Sequence, residues 1–267
     1  MPHDRMRPLA QLPAARLRAV RGVLTDIDDT LTRDGAIESA ALDALHRLRA
    51  AGIDAIAITG RPCGWSEPFA LAWPVAAIVA ENGGVMLHNE GGQLRHEYAQ
   101  PEAERRVNAK RLAVCAAAVL REVPDATLAA DSAGRRTDIA VDHSEFAHLD
   151  AARIAQVAAV MQRHGLTATV SSIHVNGWIG EHSKWTAALW AVQRCTGAPL
   201  DVHEWLYVGD STNDQLMFER IPLSVAVANI ARFVPELDVL PAYVARGERG
   251  AGFAEVADAL IAAHRAA

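Results

Sequence analysis

The sequence predicts an α/β protein whose core is a parallel sheet covered by helices, with an inserted α+β domain. Short apolar runs alternate with helical stretches in residues 1–86 and 181–267, which is typical of a parallel sheet with crossover helices on both faces. In residues 87–180, which we call the insert, the order changes to helix–strand–strand, twice. With 267 residues, 51% of them hydrophobic, the chain can form both units.

The first stretch of the core alternates strands with helices. Short apolar runs bounded by polar turns are typical of interior parallel strands, and Gly52 follows a helical pattern as a helix end does. After an N-terminal arm or helix at residues 1–20, the predicted elements are strand 21–26, helix 37–52, strand 53–59, helix 65–72 and strand 75–83. The second stretch continues with helix 183–197, strand 205–210, a loop and helix at 211–221, strand 223–229 and helix 254–264.

The insert combines two amphipathic helices with four short strands. Gly134 stands in a turn between two of the strands, and Gly165 closes the second helix. The predicted elements are helix 102–123, strands 126–131 and 136–142, helix 149–165, and strands 166–172 and 173–179. This order favours an antiparallel sheet with helices on it.

Composition excludes several classes of protein. The net charge is −6, the pI is near 6.0, and the sequence has no long basic run. The chain therefore offers little electrostatic attraction to the phosphate backbone of a nucleic acid. Three widely spaced cysteines without a C-x-x-C pair indicate reduced thiols in a cytoplasmic protein rather than a disulfide framework or a zinc site. No apolar run is long enough for a membrane span. The oligomeric state is left open.

The strongest candidate for chemistry is the run Asp26-Ile27-Asp28-Asp29-Thr30 after the first strand. Ligands of open parallel sheets bind beyond the carboxyl ends of the strands, which is where these carboxylates fall. Two carboxylates one residue apart can serve as a nucleophile and a general acid/base, and a divalent cation would offset their repulsion. By itself the run could equally be a solvated acidic turn.

Three further features follow at equivalent places. Thr59-Gly60-Arg61 offers a hydroxyl, a backbone N–H and a guanidinium to a phosphate. Lys184 lies near the start of a helix and can neutralise phosphate charge, and residues 209–214 add two carboxylates suited to a hard cation. Each has an ordinary alternative, which is a turn for the two loops and a surface position for the lysine.

Together and in this order, the motifs resemble those of the haloacid dehalogenase-like phosphatase superfamily. Its pattern is Asp-x-Asp-x-Thr/Val after the first strand, Thr or Ser after the second, Lys at a helix start, then Gly-Asp-x-x-Asn-Asp. The matching residues are Asp26, Asp28, Thr30, Thr59, Lys184, Asp210, Asn213 and Asp214. The position of the insert is similar to that of a type C2 (IIB) cap on a Rossmann-like core. Asp29 departs from the pattern, because many members have Gly there.

Two shorter runs narrow the resemblance to one branch. Thr-Gly-Arg at residues 59–61 and Glu-Asn-Gly-Gly at residues 81–84 resemble the Cof-like sugar phosphatases and their relatives, the sucrose-phosphate phosphatases and phosphomannomutases. The resemblance implies a Mg²⁺-dependent hydrolase of small phosphorylated metabolites, most simply sugar phosphates. A phosphosugar mutase or a non-catalytic phosphate-binding protein remains as an alternative.

The resemblance also implies a role for each motif residue. Asp26 would attack phosphorus to give an aspartyl-phosphate, and Asp28 would protonate the leaving alcohol and then activate water. Mg²⁺ would be held by the Asp26 carboxylate, the Asp28 backbone carbonyl and Asp210, with Asp214 as an orienting or water-mediated ligand. The phosphoryl oxygens would be held by Thr59, the Gly60 amide, Lys184 and Asn213. Thr30 would fix the loop, and Arg61 would contact phosphate or a neighbouring carboxylate.

Substrate choice is expected in the insert, because the core contacts mainly the phosphoryl group. The candidates are the polar residues on its predicted strands: Arg135, Arg136, Asp138, Ser172, His174 and Asn176. The last three alternate along one predicted strand, so their side chains would share one face and could bind sugar hydroxyls. The alternative is an exposed face that binds nothing.

Overall fold

The structure is a computed structural model that describes residues 6–266. Residues 1–5 of the predicted N-terminal arm lie outside the described residues. A nine-stranded sheet forms the centre of the core. Its strands, in spatial order, are β1 (Arg7–Pro8), β15 (Tyr243–Val244), β14 (Ser224–Ala226), β13 (Trp205–Gly209), β2 (Gly22–Thr25), β5 (Asp54–Ile58), β6 (Ala77–Ala80), β7 (Val85–Glu90) and β8 (Gln93–Tyr98).

The first seven of these strands are parallel, and the last two form an antiparallel hairpin at one edge. Helices cover both faces of the sheet. One face carries α1 (Ala14–Arg18), α2 (Ser39–Ala50), α3 (Cys63–Ala72) and α8 (Arg249–Arg265), and the other carries α6 (Lys184–Thr196) and α7 (Gln215–Arg220). The predicted α/β class with a mostly parallel sheet is confirmed.

The central strands are apolar along their whole length because both of their faces are covered. In β2, Val23 packs into the cluster under α2 and α8, and its neighbour Leu24 packs into the opposite cluster under α6. A strand buried on both faces needs apolar residues at successive positions, as the sequence has here. After β2 the chain makes a small hairpin of β3 (Thr32–Arg33) and β4 (Ala36–Ile37) before α2 begins.

The insert forms its own antiparallel sheet. Its elements are α4 (Glu102–Glu122), β9 (Thr127–Leu128), β10 (Asp138–Asp142), α5 (Ala151–Arg163), β11 (Thr167–Val170) and β12 (His174–Trp178), with the strands in the order β11-β12-β10-β9. Apolar residues of both helices pack on one face, where Val119, Val160 and Val175 are fully buried. The predicted helix–strand–strand order therefore forms twice.

The hairpin of β7 and β8 differs from the predicted division. Residues from 87 onward were assigned to the insert, whereas β7 pairs with β6 and extends the main sheet. Strand β8 has the sequence Gln-Leu-Arg-His-Glu-Tyr and is mostly exposed or half-buried. It therefore lacks the apolar run that marks interior strands. The division into two domains stays a prediction, with residues 87–98 paired to the core sheet.

Among residues 6–266, no helix combines the length and the apolar character needed to cross a membrane.

Candidate active site

The carboxyl ends of three neighbouring strands bring the predicted motifs together. Strands β13, β2 and β5 are adjacent and parallel, so the loops that follow them leave the sheet at the same edge. These loops carry Asp210, Asp26 and Thr59, respectively. Helix α6 brings Lys184 to the same place, and its start is fixed by Ser183 and Thr186, which form a reciprocal capping box.

Lys184 lies between two carboxylates. Its Nζ is 2.7 Å from Asp26 Oδ2 and 2.7 Å from Asp214 Oδ1. It also donates a hydrogen bond to Asn213 Oδ1 at 3.3 Å. Burial alone would lower the pKa of Lys184, but Asp214 and Asp26 raise it more, so the side chain stays charged. The lysine thus links the loop after β2 with the loop after β13.

Asp26 is 3% exposed and short of positive charge. Its Oδ1 accepts a hydrogen bond from the Ile27 N–H at 2.7 Å. Burial, helped by the charges of Asp214 and Asp28, raises the pKa of Asp26 to about 7, although Lys184 acts in the opposite direction. In the protein alone, burial therefore disfavours the ionised form of this carboxyl.

Asp210 has a buried carboxylate oxygen that is available to bind a ligand. Oδ2 of Asp210 accepts from Asn229 Nδ2 at 3.1 Å, whereas Oδ1 has no hydrogen-bond partner among the described residues. Burial and the neighbouring acids raise its pKa well above the usual range. One oxygen each of Asp26, Asp210 and Asp214 lies within 4.8 Å of the others. Lys184 pairs with two of these carboxylates, and Arg232 approaches Asp210 Oδ2 at 3.5 Å. Three buried carboxylates, one of them with an oxygen that has no partner in the described part of the chain, fit a divalent cation with oxygen ligands.

Asp214 has both oxygens engaged by the protein. Oδ1 accepts from Lys184 and from the Tyr207 hydroxyl. Oδ2 accepts from the backbone N–H groups of Asp210 at 2.8 Å and Ser211 at 3.1 Å. A Cβ at Gly209 would overlap with Asp214 Oδ2, so glycine permits this close contact. The arrangement favours the orienting role for Asp214 over direct metal coordination.

Arg61 connects the loop after β5 with Asp28 and with the insert. Its Nε is 2.8 Å from Asp28 Oδ1, its Nη2 is 2.9 Å from Glu145 Oε1, and its Nη1 is 3.3 Å from Asp131 Oδ2. The side chain is 4% exposed. The sequence left two roles open for Arg61, contact with phosphate or pairing with a neighbouring carboxylate. In the structure, Arg61 pairs with carboxylates. Asp28 of the core and two acidic residues of the insert pair with the same buried guanidinium. Arg61 therefore fixes the position of the insert relative to Asp28.

Asp29 adopts the backbone conformation for which many members of the family use Gly. Its φ is +53°, in the left-handed region that Asp tolerates better than most residues. Its carboxylate is 2.7 Å from Arg249 Nε and 2.6 Å from Arg232 Nη2. These two arginines lower the pKa of Asp29 although burial acts to raise it. Asp29 therefore anchors the loop after β2 to the first residue of α8.

The insert contacts the core at the loop that contains Thr59 and Gly60. Oγ1 of Thr59 accepts from the Arg61 N–H at 3.0 Å. The Gly60 carbonyl accepts from Arg135 Nη1 at 3.0 Å and from Asn176 Nδ2 at 3.3 Å. A Cβ at Gly60 would lie 3.2 Å from Asn176 Oδ1, tighter than most real contacts. The insert is thus closed down on the predicted phosphate loop.

The residues of the insert predicted to contact substrate form two groups, which are the alternating residues Ser172, His174 and Asn176 and the two arginines. Ser172 lies in the turn before β12 rather than on the strand, which begins at His174. All three alternating residues are buried, so the exposed face considered from sequence is not formed. His174 Nε2 is 3.0 Å from Glu145 Oε2. Asn176 retains an Oδ1 without a partner among residues 6–266.

The two predicted arginines differ from each other. Arg135 Nη1 lies 2.8 Å and 2.9 Å from the two oxygens of Asp138, and its side chain is buried. Arg136 is exposed, and its backbone N–H donates to Glu81 Oε1 at 3.0 Å. Arg135 is therefore occupied in joining the insert to the core. Their predicted contact with substrate remains untested.

Glu81 connects the insert to the core, whereas the sequence identifies it only as part of the Glu-Asn-Gly-Gly run. Its Oε2 accepts from the Thr137 N–H and from Thr137 Oγ1, both at 2.6 Å, and its Oε1 accepts from the Cys63 N–H at 2.8 Å. The residue is fully buried and has a φ of +53°. A buried carboxylate that binds backbone of both units fixes the insert on the core, and no local pattern signals this.

A cavity of about 350 Å³ opens at the junction of the two units beside Lys184. Three of its lining atoms are buried and have no hydrogen-bond partner in the described part of the chain. They are Asn82 Nδ2, Thr169 Oγ1 and His182 Nε2. Burial lowers the pKa of His182 to about 4, so its imidazole is neutral at pH 7. Trp178 adds an apolar wall, and Asn213 brings the cavity to the phosphate motif.

The fold and the site define a class of protein: an α/β core with an aspartate-based site at the strand ends, closed by an inserted domain. A family model for haloacid dehalogenase-like hydrolases matches residues 23–110. This range carries the first two motifs. No curated protein sequence matches the chain.

Solved structures match nearly the whole chain. Sucrose-phosphatase from Synechocystis sp. PCC6803, in complex with sucrose and phosphate, is 16% identical with a TM-score of 0.65, covering 91% of this chain and 98% of that one. A HAD/Cof-like hydrolase from Plasmodium vivax is 16% identical with a TM-score of 0.68 and coverages of 93% and 98%. The C-terminal domain of trehalose-6-phosphate phosphatase from C. albicans is 14% identical with a TM-score of 0.68 and coverages of 98% and 99%.

At these identities the likeness establishes a common fold, including the inserted domain. The family model adds that residues 23–110 are similar to haloacid dehalogenase-like hydrolases. The resemblance predicted from the motifs is therefore confirmed over this range, which carries the first two of them.

Proposed function

We propose that the chain is a Mg²⁺-dependent phosphomonoester hydrolase that cleaves a sugar phosphate through an aspartyl-phosphate on Asp26. The observation that carries this proposal is the contact of Asp26 Oδ2 with Lys184 Nζ at 2.7 Å, beside the unpartnered Oδ1 of Asp210. It combines a nucleophilic carboxylate, a cation for phosphate charge and a free metal-ligand atom in one buried place.

In the first step, a carboxylate oxygen of Asp26 forms a bond to phosphorus as the bond from phosphorus to the leaving oxygen breaks. Asp28 donates its proton to that oxygen, which departs as an alcohol. The ion pair with Arg61 uses Asp28 Oδ1 and leaves Oδ2 to carry the proton. In the second step, Asp28 takes a proton from water, and the water oxygen attacks phosphorus to release inorganic phosphate and restore Asp26.

The metal site is supported by the buried carboxylates. Asp26 and Asp210 would hold Mg²⁺, which when bound offsets the charge of the carboxylates and the phosphoryl group. Asp214 would keep the loop after β13 and Lys184 in place. Thr59, the Gly60 amide and Asn213 would bind phosphoryl oxygens together with Lys184.

The leaving group is proposed to be a neutral sugar that occupies the cavity beside Lys184. Asn82, Thr169 and the neutral His182 present hydrogen-bonding atoms without partners among residues 6–266, and such atoms suit hydroxyl groups better than charged groups. Two proteins of the same fold are a sucrose-phosphatase and a trehalose-6-phosphate phosphatase, which supports the same class of substrate. The predicted cytoplasmic location remains a prediction.

Release of phosphate from a panel of sugar phosphates in the presence of Mg²⁺ tests the proposal. We expect Asp26→Asn to lower kcat by about 10⁴-fold or more, because the nucleophile is lost. Asp43→Asn, on the exposed face of α2, is the matched control and should keep full activity. EDTA should abolish release. Isomerised product without release would favour a mutase, and unchanged activity of Asp26→Asn would contradict the mechanism.

A further inference from the structure

A second cluster of metal-ligating side chains lies outside the acidic cluster of the active site, where α3 packs against β8. Cys63 and Glu67 stand four residues apart in the first turns of α3, so they share one face of the helix. His96 faces them from β8. The thiol sulfur, one carboxylate oxygen and one imidazole nitrogen all lie within 4.8 Å of one another.

Two of the three distances between these atoms are close to the edge lengths of a tetrahedral metal site, and the third is within 4.8 Å. Cys63 Sγ is 3.7 Å from Glu67 Oε1, and His96 Nε2 is 3.0 Å from the same oxygen. Zinc bonds of about 2.3 Å to sulfur and about 2.0 Å to nitrogen and oxygen place tetrahedral ligand atoms about 3.3 to 3.5 Å apart. An ion can therefore be held with small movements of these side chains.

The environment supplies one buried ligand and an open approach. Cys63 is fully buried, whereas the side chains of Glu67 and His96 are 36% and 31% exposed. Burial, with Glu81 and Glu67 nearby, raises the pKa of the Cys63 thiol to about 12. The thiol therefore stays protonated in the protein alone, and a bound cation would supply the charge that the thiolate requires.

We propose that Cys63, Glu67 and His96 bind a zinc-like divalent cation, with a fourth position open to solvent. A mixed set of sulfur, nitrogen and oxygen ligands favours zinc and its neighbours in the transition series over Mg²⁺, which prefers oxygen alone. The bound ion joins the start of α3, which follows the Thr59–Arg61 loop, to the edge hairpin of the core sheet. This site is separate from the proposed Mg²⁺ site in both position and chemistry.

The sequence predicted no zinc site, because the three cysteines are widely spaced and form no C-x-x-C pair. The ligands come from a helix and from an edge strand that the sequence did not predict. Only the pairing of β8 with β7 in the main sheet brings His96 opposite α3.

Titration with Co²⁺ in excess Mg²⁺ tests the proposal independently of activity. Mg²⁺ fills the acidic cluster, and absorption by a thiolate–Co²⁺ bond reports only a site that contains cysteine. We expect about one equivalent of Co²⁺ to produce this absorption in the wild-type protein. Cys63→Ser should abolish the absorption, and His96→Gln should weaken binding at least about tenfold.

Two matched controls are present in the chain. Cys195 is an exposed thiol outside the proposed site, and His88, on the same hairpin as His96, pairs with Glu97 at 3.0 Å. Cys195→Ser and His88→Gln should bind Co²⁺ as the wild-type protein does. Absence of thiolate absorption in the wild-type protein, or its persistence in Cys63→Ser, would overturn the proposal. Loss of the absorption in Cys195→Ser would overturn it as well.

Zn²⁺-dependent unfolding gives a second measure that does not depend on a spectroscopic band. In excess Mg²⁺, added Zn²⁺ should raise the Tm of the wild-type protein, because a ligand of the folded state stabilises it. The rise should be lost in His96→Gln, whose exposed position keeps the fold intact, and retained in His88→Gln. Equal rises in wild type and His96→Gln would contradict the site.

Discussion

Two charge clusters meet at the active site, and they differ in whether every buried carboxylate oxygen has a hydrogen-bond partner among residues 6–266. Around Arg61, one buried guanidinium is shared by Asp28, Asp131 and Glu145. Around Lys184, Asp26 and Asp214 share one ammonium group, and Asp210, which is 3.5 Å from Arg232, keeps an oxygen without a partner among residues 6–266. In this sense we call the Arg61 cluster balanced and the Lys184 cluster unbalanced. The first cluster is complete without a ligand, and the second is not.

The pKa of Glu145 in the first cluster and the pKa of Asp26 in the second are shifted in opposite directions. The pKa of Glu145 is lowered to about 2, mainly by its hydrogen bond to His174 and also by Arg61. The pKa of Asp26 is raised to about 7, mainly by burial. The balanced cluster therefore holds the insert on the core, whereas the unbalanced cluster is where a metal ion and phosphate would bind.

The largest expected effect is on the pH dependence of stability. Asp26 binds its proton more tightly when folded, with a pKa of about 7 against an ordinary value of 3.8. It therefore stabilises the metal-free fold at low pH, and this contribution is lost as pH rises from about 4 to about 7. Each such group changes the free energy of unfolding by up to about 1.4 kcal/mol per pH unit.

Urea unfolding at pH 5 and pH 8, in EDTA and in Mg²⁺, measures this effect. Burial lowers the pKa of His182 to about 4, which acts with the opposite sign but equally in both conditions. The difference between Mg²⁺ and EDTA isolates the acidic cluster. We expect Mg²⁺ to stabilise the protein more at pH 8 than at pH 5, and Asp26→Asn to reduce this gain. An equal effect of Mg²⁺ at both pH values would contradict the account.

Breaking the balanced cluster should cost activity without removing a reacting group. Arg61→Gln frees Asp28 and releases the insert at Glu145, so we expect kcat to fall about 100-fold with a smaller change in KM. Glu145→Gln should give a weaker effect in the same direction, because Asp28 keeps its partner. Steady-state kinetics and limited proteolysis of the insert measure both changes.

Glu219, exposed on α7, offers the matched control for the balanced cluster. Glu219→Gln should leave kcat and the rate of proteolysis unchanged. Wild-type kcat in Arg61→Gln would show that the Arg61 cluster has no part in holding Asp28.

The smallest effect is expected at the cavity beside Lys184. Thr169→Val removes the unpartnered hydroxyl with little change in volume, so KM for the sugar phosphate should rise about tenfold. Inhibition by inorganic phosphate should not change, because phosphate does not reach this atom. Thr127→Val, at an exposed position on the opposite edge of the insert's sheet, is the control. A parallel loss of phosphate inhibition would contradict the assignment of the cavity to the leaving group.

The sequence predicted that three of the motifs meet at one edge of the sheet, because each of these three directly follows a buried strand. Asp26, Thr59 and Asp210 are fixed by the order and direction of the central strands, and an apolar run reveals such strands. The same reasoning explains why the hairpin of β7 and β8 was missed, since an exposed edge strand carries no apolar run.

The contacts of the insert were harder to predict because long-range packing decides them. Alternation placed Ser172, His174 and Asn176 on one face but could not reveal that Glu145 would engage His174. The unpartnered atoms of Asn82, Thr169 and His182 come from three separate segments, and no local pattern joins them. Which polar atom is left free is a property of the packed structure, not of a motif.

The central claim is that Asp26 becomes phosphorylated during turnover. The most direct measurement uses Asp28→Asn mixed with p-nitrophenyl phosphate and Mg²⁺, quenched in acid, and analysed by peptide mass spectrometry. The p-nitrophenolate leaving group departs without being protonated, so the aspartyl-phosphate should still form in Asp28→Asn. Because the Asp28 base is lost, hydrolysis of the aspartyl-phosphate should be slow. The account predicts a phosphoryl group on the peptide that carries Asp26, and at that residue. Phosphate release without any adduct, or an adduct on another residue, would contradict it.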